Sequence, residues 1–519
     1  MFSFLAAAVV VAGLAAPAPA QDLRVGVEAG PTSNDPHYHS LITNIAFSRH
    51  IFEPLVVQDA QQNLVPGLAT SWKAIEPTVW EIKLRPGVTW HDGAPFTADD
   101  VKFTLGRAGN VPNSPSSFSV YTRPVREVEV VDPLTVRLHT HAPTPLMPNY
   151  LSLVMTVSRR HGEGATTADY NSGKAMIGTG PFRYAGWEPN QSLVVQRNDA
   201  YWGPKPAFAR VNYKAIPVAA TRVAALRAGD VDLIEIVPPD EMTKLKQETA
   251  RFATAESISN RLIFLLVDAD REASPHVQAK AGGAIANPLR DPRVRKALSK
   301  AINRDALVDR IMDKAALAAG DLGPPGYFGT SPDLKPEAFD PEGARRLLAE
   351  AGLPDGFTLT LHGPSDRYVN DEKVIQAIAQ MWSRIGLAAK VEAVPRANYF
   401  SRASRLEFSA MLLGFSPNPE VIGMLETLVH TFDAQLGLGT NNRGRYSNKA
   451  TDAMIREARS TVDDDRRRAL TQAATRAALA DTAVIPLYFQ YNTWAMRKGL
   501  AYEPRTDEMT LATSARPAN

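Results

Sequence analysis

The sequence predicts an α/β protein with two lobes and an additional small α+β domain, and three observations carry that reading. The chain has 519 residues, more than one hydrophobic core can serve, so two or three domains are required. Residues 358–361, 372–385 and 391–394 read as strand, helix and strand. Two strands joined by a helical crossover of that length must lie parallel. Earlier in the chain, Trp80, Ile82 and Leu84 alternate with Glu81, Lys83 and Arg85, and VREVEVVDPLTVRLHT gives two alternating runs across Asp132-Pro133. Those are the period-2 signals of half-buried antiparallel strands.

In chain order, Leu23, Val25 and Val27 alternate as a first strand that Gly30-Pro31 ends. A loop follows, then a helix with Ile45, Phe47, Ile51 and Phe52 on one side. Pro86-Gly87 stops the strand at 80–85, Val88 and Trp90 resume the alternation, and Asp92-Gly93 supplies a turn. Thr97, followed by Asp99-Asp100, caps a helix carrying Val101 and Leu105. Residues 221–228 form a short helix, VDLIEIV a strand, and RLIFLLV at 261–267 a buried strand that crosses between lobes. The polar run 268–287 marks a boundary. Asp291 caps a helix with Pro292 in its first turn and Val294, Leu298, Ala301 and Ile302 at helical spacing. Asp340-Pro341 opens a helix that Gly352 ends; a strand at 409–415 and two helices within 448–480 follow. AVIPLYFQYNTW, 483–494, returns the chain to the first lobe. Crossings near 265 and 485 therefore make a hinged clamp, a geometry that buries a ligand when it shuts.

Composition narrows the function. A net charge of +2 supports neither nucleic acid nor an anionic membrane as a partner. Residues 1–20 form an apolar run ending in Ala18-Pro19-Ala20, the pattern of a secretory signal cleaved between Ala20 and Gln21. No later stretch reaches 18 uninterrupted apolar residues, so the mature chain is not expected to be embedded in a membrane. There is no cysteine to form a disulfide or carry a lipid anchor, which favours a free periplasmic protein. The chain lacks G-x-S-x-G, H-E-x-x-H and a Walker lysine loop, so no catalytic residues are expected. G-T-G-P at 178–181 precedes a strand, not a helix, and reads as a turn instead of a phosphate cradle.

The ordered run L-A-x-S-W, then W-x-x-x-L-R-x-G-V-x-W-H-D-G-x-P-F-T-A-D-D-V-x-F, spans residues 68–103. With IGTGPFRYAGWEPNQSLVVQRNDAYWG at 177–203 and V-R-x-A-x-x-x-A-I-N-R at 294–304, it resembles the signature of the bacterial solute-binding proteins called family 5. The resemblance implies a periplasmic-binding-protein type II-like fold. Its first domain would be discontinuous, at 21–47, 176–267 and 484–519, with a small domain at 48–175 and a second lobe at 268–483. It also implies a monomeric receptor for a di- or oligopeptide or related small solute. Such a receptor works with permease subunits and a cytoplasmic ATPase, and needs no cofactor. Receptors for a nickel complex, haem, or a non-peptide solute such as an opine or sugar conjugate remain the alternative.

By the same resemblance, main-chain groups of Ser40, Leu41 and Ile42 and of Gly414, Phe415 and Ser416 meet the ligand, as an added strand would. His37 and His39 lie in the cleft-entry loop and, with His50, raise the metal or haem alternative; no metal ligand is assigned. Tyr488 and Phe489 on the returning strand serve either ligand or core. Peptide binders of this family carry an aspartate shortly after G-W that holds the ligand's ammonium. Here Ser416, Pro417 and Asn418 replace that acidic run, and Glu420 is the nearest carboxylate. Either Glu420 substitutes for it, or the ligand lacks a free amine.

Overall fold

The computed structural model describes residues 22–416 and 420–518. The signal expected at residues 1–20 and the candidate Asn418 lie outside them. Alternation in Leu23–Val27 buries Leu23, Val25 and Val27 in a strand that runs parallel to both Arg210–Ala215 and Leu233–Glu235. From there one twelve-stranded sheet extends through both lobes. Its path passes Ile485–Arg497, Phe252–Val267, Ala410–Phe415 and Thr358–Pro364 in turn.

The two crossing strands, Phe252–Val267 and Ile485–Arg497, pair antiparallel, and their register breaks between Ile258 and Leu262. Before the break, Phe252 packs with Val223, Leu226 and Ala495 of the first lobe. After it, Ile263, Leu265 and Val267 enter one core of the second lobe, while Leu262, Phe264 and Leu266 enter another. Successive strand residues face opposite sides of a sheet, so one apolar run feeds both cores. The expected division kept residues up to 267 in the first lobe; the side chains of 262–267 pack mainly with residues of 268–483.

In the small domain, Ala69–Glu76, Val79–Leu84, Thr135–Thr140 and Val125–Asp132 form a four-stranded antiparallel sheet. Thr97 N–H donates to Asp100 at 3.0 Å and starts the helix Ala98–Ala108. Val88 and Trp90 are buried, but they form no strand. Turns on either side leave room only for an isolated bridge between Thr89 and Pro95. The helix expected to carry Ile51 and Phe52 is only Ile42–Ser48; Ile51 lies in the turn after it and Phe52 just beyond that turn. In the second lobe, Thr358–Pro364 and Ala388–Val394 are parallel, joined by the helix Asp371–Arg384; its spacing predicts Val374, Ile378, Met381 and Ile385 on the buried face, and Val374, Ile378 and Ile385 are buried there with Trp382, while Met381 is only partly covered. No described helix is long and apolar enough to cross a membrane.

Candidate functional site

Ligands of parallel α/β sheets bind beyond the carboxyl ends of the strands. Thr358–Pro364 ends in the loop 365–370, and the Asp371 carboxylate pins that loop by accepting N–H bonds from Arg367 at 2.9 Å and Tyr368 at 3.0 Å. The loop presents Arg367 and Tyr368 to a cavity of about 140 Å³ that the first lobe closes with Glu28, Glu235 and Ile236. An adjoining cavity of about 330 Å³ shares Ile236 and Arg367 and adds Leu41, Ile42 and Arg396. Both lobes therefore line one cleft, and the crossing strands form its floor through Arg261 and Gln490–Trp494.

Charges in the cleft are unevenly matched. Arg261 is bonded to Glu508 through two nitrogens, at 2.6 and 2.8 Å, and Ser259 Oγ donates to the same carboxylate at 2.8 Å. Burial pushes the Glu508 pKa up, but the Arg261 charge and these hydrogen bonds outweigh it and hold the group below the usual carboxylate value. Burial raises the Glu235 pKa, and its carboxylate accepts bonds from the Glu28 N–H and the Thr510 hydroxyl. Arg367 differs from Arg261: among the described residues its guanidinium has no ion pair or hydrogen bond, and it lies over the ring of Tyr368, 5.2 Å from the centroid. Desolvation in the cleft and the like charge of Arg261 pull its pKa below the ordinary arginine value, without approaching neutrality at pH 7. An unpaired guanidinium in a cleft is a receptor for a planar anion.

The residues expected from sequence are only partly brought together here. Leu41 and Ile42 line the cleft by their side chains, about one third exposed each, at 38% and 37%. The main chain of this segment is largely committed elsewhere: Ser40 N–H donates to Ser116 O at 2.8 Å and Leu41 N–H to His39 O at 2.8 Å. Gly414 N–H donates to the Tyr368 hydroxyl at 2.8 Å, so that ring stands between Gly414 and the cleft. Phe415 packs on the second lobe's core, and Ser416 Oγ is buried with no partner among the described residues. Tyr488 and Phe489 are core residues of the second lobe.

His37 is fully buried, with Nε2 bonded to Met155 O at 2.7 Å and Nδ1 accepting from Arg107 at 3.0 Å, so its side chain faces away from any solute. His50 likewise has both ring nitrogens occupied. His39 reaches Thr32 Oγ1 at 3.0 Å.

Glu420 lies away from this cleft, at a separate cavity of about 900 Å³ between the small domain and the second lobe. Its two oxygens accept from Arg467 at 3.0 and 3.1 Å, and both side chains are buried. A carboxylate already neutralised by a buried arginine is not available to a ligand's ammonium. Glu420→Gln is therefore expected to cost roughly 3 kcal/mol of stability, as breaking a buried pair does, and to leave solute affinity unchanged. Urea unfolding and calorimetric titration read the two separately; an affinity loss with intact stability would return Glu420 to the site.

Sequence reasoning missed Arg261, Arg367, Tyr368, Glu235, Ile236 and Glu508. One signal was present for Arg367-Tyr368: they lie in the loop after the first strand of the βαβ unit, where parallel sheets place their ligands. Nothing local in the sequence joins Arg261 to Glu508, 247 residues apart.

Comparison with known proteins bears on the family and the fold. The family described as bacterial extracellular solute-binding proteins, family 5 Middle, matches residues 63–435. The dipeptide-binding protein of Escherichia coli K12 is 27% identical over 433 residues, covering 78% of this chain and 77% of its own. The glutathione-binding protein GsiB of the same strain is 28% identical over 493 residues, covering 93% and 91%. Among solved structures, the ABC transporter substrate-binding protein CtaP of Listeria monocytogenes superposes with a TM-score of 0.83 at 21% identity, over 96% of this chain and all of that one.

Proposed function

The chain belongs to the bacterial extracellular solute-binding proteins, family 5, and from that membership we propose that it is the receptor of an ATP-driven importer for a di- or oligopeptide, or a related small solute, bearing a free carboxylate. The relatives named for dipeptide and glutathione binding support the solute class. Arg367 is the observation that carries the carboxylate: it is unpaired, faces a cleft lined by both lobes, and has Tyr368 beside it.

The proposed mechanism is closure by differential affinity. A solute anchored on Arg367 of the second lobe and against Leu41, Ile42 and Ile236 of the first favours the shut state by the contacts it makes only there. The crossing strands flex where their register is already broken, between Ile258 and Leu262. The protein acts in the periplasm, hands the solute to membrane permease subunits, and neither hydrolyses ATP nor transforms what it carries.

Arg367→Ala is expected to weaken trialanine binding about thirtyfold, the worth of a charge-assisted pair. Isothermal titration with trialanine and its C-terminal amide tests this. The amide should lose a similar factor on the parent and lose nothing further on Arg367→Ala. Equal affinity of acid and amide for the parent would overturn the carboxylate anchor.

A further inference from the structure

We infer that Ile236, with Leu41 and Ile42, forms an apolar subsite beside Arg367 that selects solutes with a bulky aliphatic group next to their carboxylate. The inference rests on the reading above for the carboxylate and goes beyond it in naming what flanks that group.

Ile236 has a φ of 50°, the left-handed region that a β-branched residue avoids. It is held there by buried groups on both sides. Arg222, 1% exposed, gives its guanidinium wholly to backbone carbonyls: Nε donates to Glu235 O at 3.2 Å, Nη2 to Ile236 O at 3.2 Å, and Nη1 to Ile216 O at 2.7 Å and Pro217 O at 3.0 Å. Thr493 Oγ1 accepts from Val237 N–H at 2.9 Å and donates to Val237 O at 3.0 Å. The turn is thus fixed by its neighbours, and glycine or asparagine would satisfy its backbone without strain.

No hydrophobic core among the described residues accounts for the branched side chain. It is 45% exposed, yet it lines both cavities of the cleft. Leu41 and Ile42, two more of the exposed large apolar side chains among the described residues, line the second cavity with it. Arg367 is common to both cavities. Three aliphatic side chains on one lobe and an unpaired guanidinium on the other suit a solute whose acid group is flanked by hydrocarbon. Covering those side chains on closure removes apolar surface from water that the open protein leaves exposed.

Calorimetric titration of Ala-Ala-Leu and Ala-Ala-Gly against the parent and Ile236→Asn tests the subsite. The parent is expected to prefer Ala-Ala-Leu by about tenfold or more, the usual discrimination of an apolar pocket. Ile236→Asn should bring the two peptides to within about twofold and melt no lower than the parent, because asparagine tolerates a positive φ. A preference retained in Ile236→Asn, or absent from the parent while both peptides bind, overturns the subsite and leaves the carboxylate reading standing. A parent that binds neither peptide overturns that reading and the subsite with it. Ile236→Gly guards against an effect of the asparagine amide; it too should lose the preference, and retention there counts against the subsite.

Discussion

Gly178→Ala is expected to abolish the soluble folded protein, because at no other described glycine would an added methyl come so close to its neighbour. A Cβ at that position would sit 1.7 Å from Ile51 O and 2.5 Å from Ile51 C, closer than any nonbonded contact allows. Neither backbone can withdraw. Gly180 N–H donates to Ile51 O at 2.9 Å and Phe182 N–H to His50 O at 2.9 Å, while His91 N–H donates to Gly178 O at 2.8 Å. The His91 ring closes the clasp, with Nδ1 accepting from Gly178 N–H at 3.2 Å and Nε2 bonded to Gly180 O at 3.1 Å. Relief would break several buried hydrogen bonds at once, so the cost is above about 4 kcal/mol. Gly87→Ala is the control: its φ is 75°, but nothing lies within 4 Å of the added carbon, so only the backbone cost of about 1–2 kcal/mol applies. Soluble yield and urea midpoints decide it. A Gly178→Ala midpoint equal to that of Gly87→Ala would show that the two backbones can separate.

That clasp also explains why G-T-G-P was legible as a turn and not as a cradle. The segment enters the strand Phe182–Glu188, so no helix N-terminus is available, and its glycines admit a neighbouring backbone. What could be read locally held well. The Thr97 cap, the helix Asp371–Arg384 and the parallel strands around it follow from periodicity and cap chemistry within a dozen residues. The long strand Phe252–Val267 was read only from 261, because its first half, with Glu256, Ser257, Ser259 and Asn260, carries no apolar alternation. It is a strand because Ile485–Arg497 pairs with it.

The site was harder for the same reason. Glu420 stayed open as a substitute anchor because its partner Arg467 lies 47 residues later. His37 read as cleft-facing because its partners Arg107 and Met155 belong to other elements. Family resemblance pointed to the segments 40–42 and 414–416, but whether a main-chain N–H is free there depends on long-range partners such as Ser116 and Tyr368.

Acid should destabilise the protein between about pH 6.5 and pH 4, through histidines kept neutral inside it. Burial lowers His37, His50, His91 and His362 to about 4 each, helped at His37 by the charge of Arg107. In the unfolded chain each titrates near 6.5. Between those values the unfolded state holds more protons than the folded one, so folding free energy is lost as pH falls, by up to about 1.4 kcal/mol per pH unit for each histidine. Buried carboxylates whose pKa burial raises, such as Glu53 and Asp100, oppose this, because they take up protons in the folded state first. His50 isolates the effect. Its Nε2 accepts from both the Tyr213 hydroxyl at 2.7 Å and Ala512 N–H at 3.0 Å, while Nδ1 donates to Phe47 O at 3.2 Å. A proton on Nε2 would face the Ala512 N–H, an obligate donor, and would have to turn the Tyr213 hydroxyl hydrogen to Thr510 O, 3.4 Å away. His50→Gln is expected to be less stable than the parent at pH 7, where these bonds are lost, and to close the gap by roughly 1 kcal/mol per unit as pH falls from 6 to 4.5. Urea unfolding at four pH values measures both lines. If they run parallel, His50 titrates alike in the folded and unfolded chain, and the acid lability has another source.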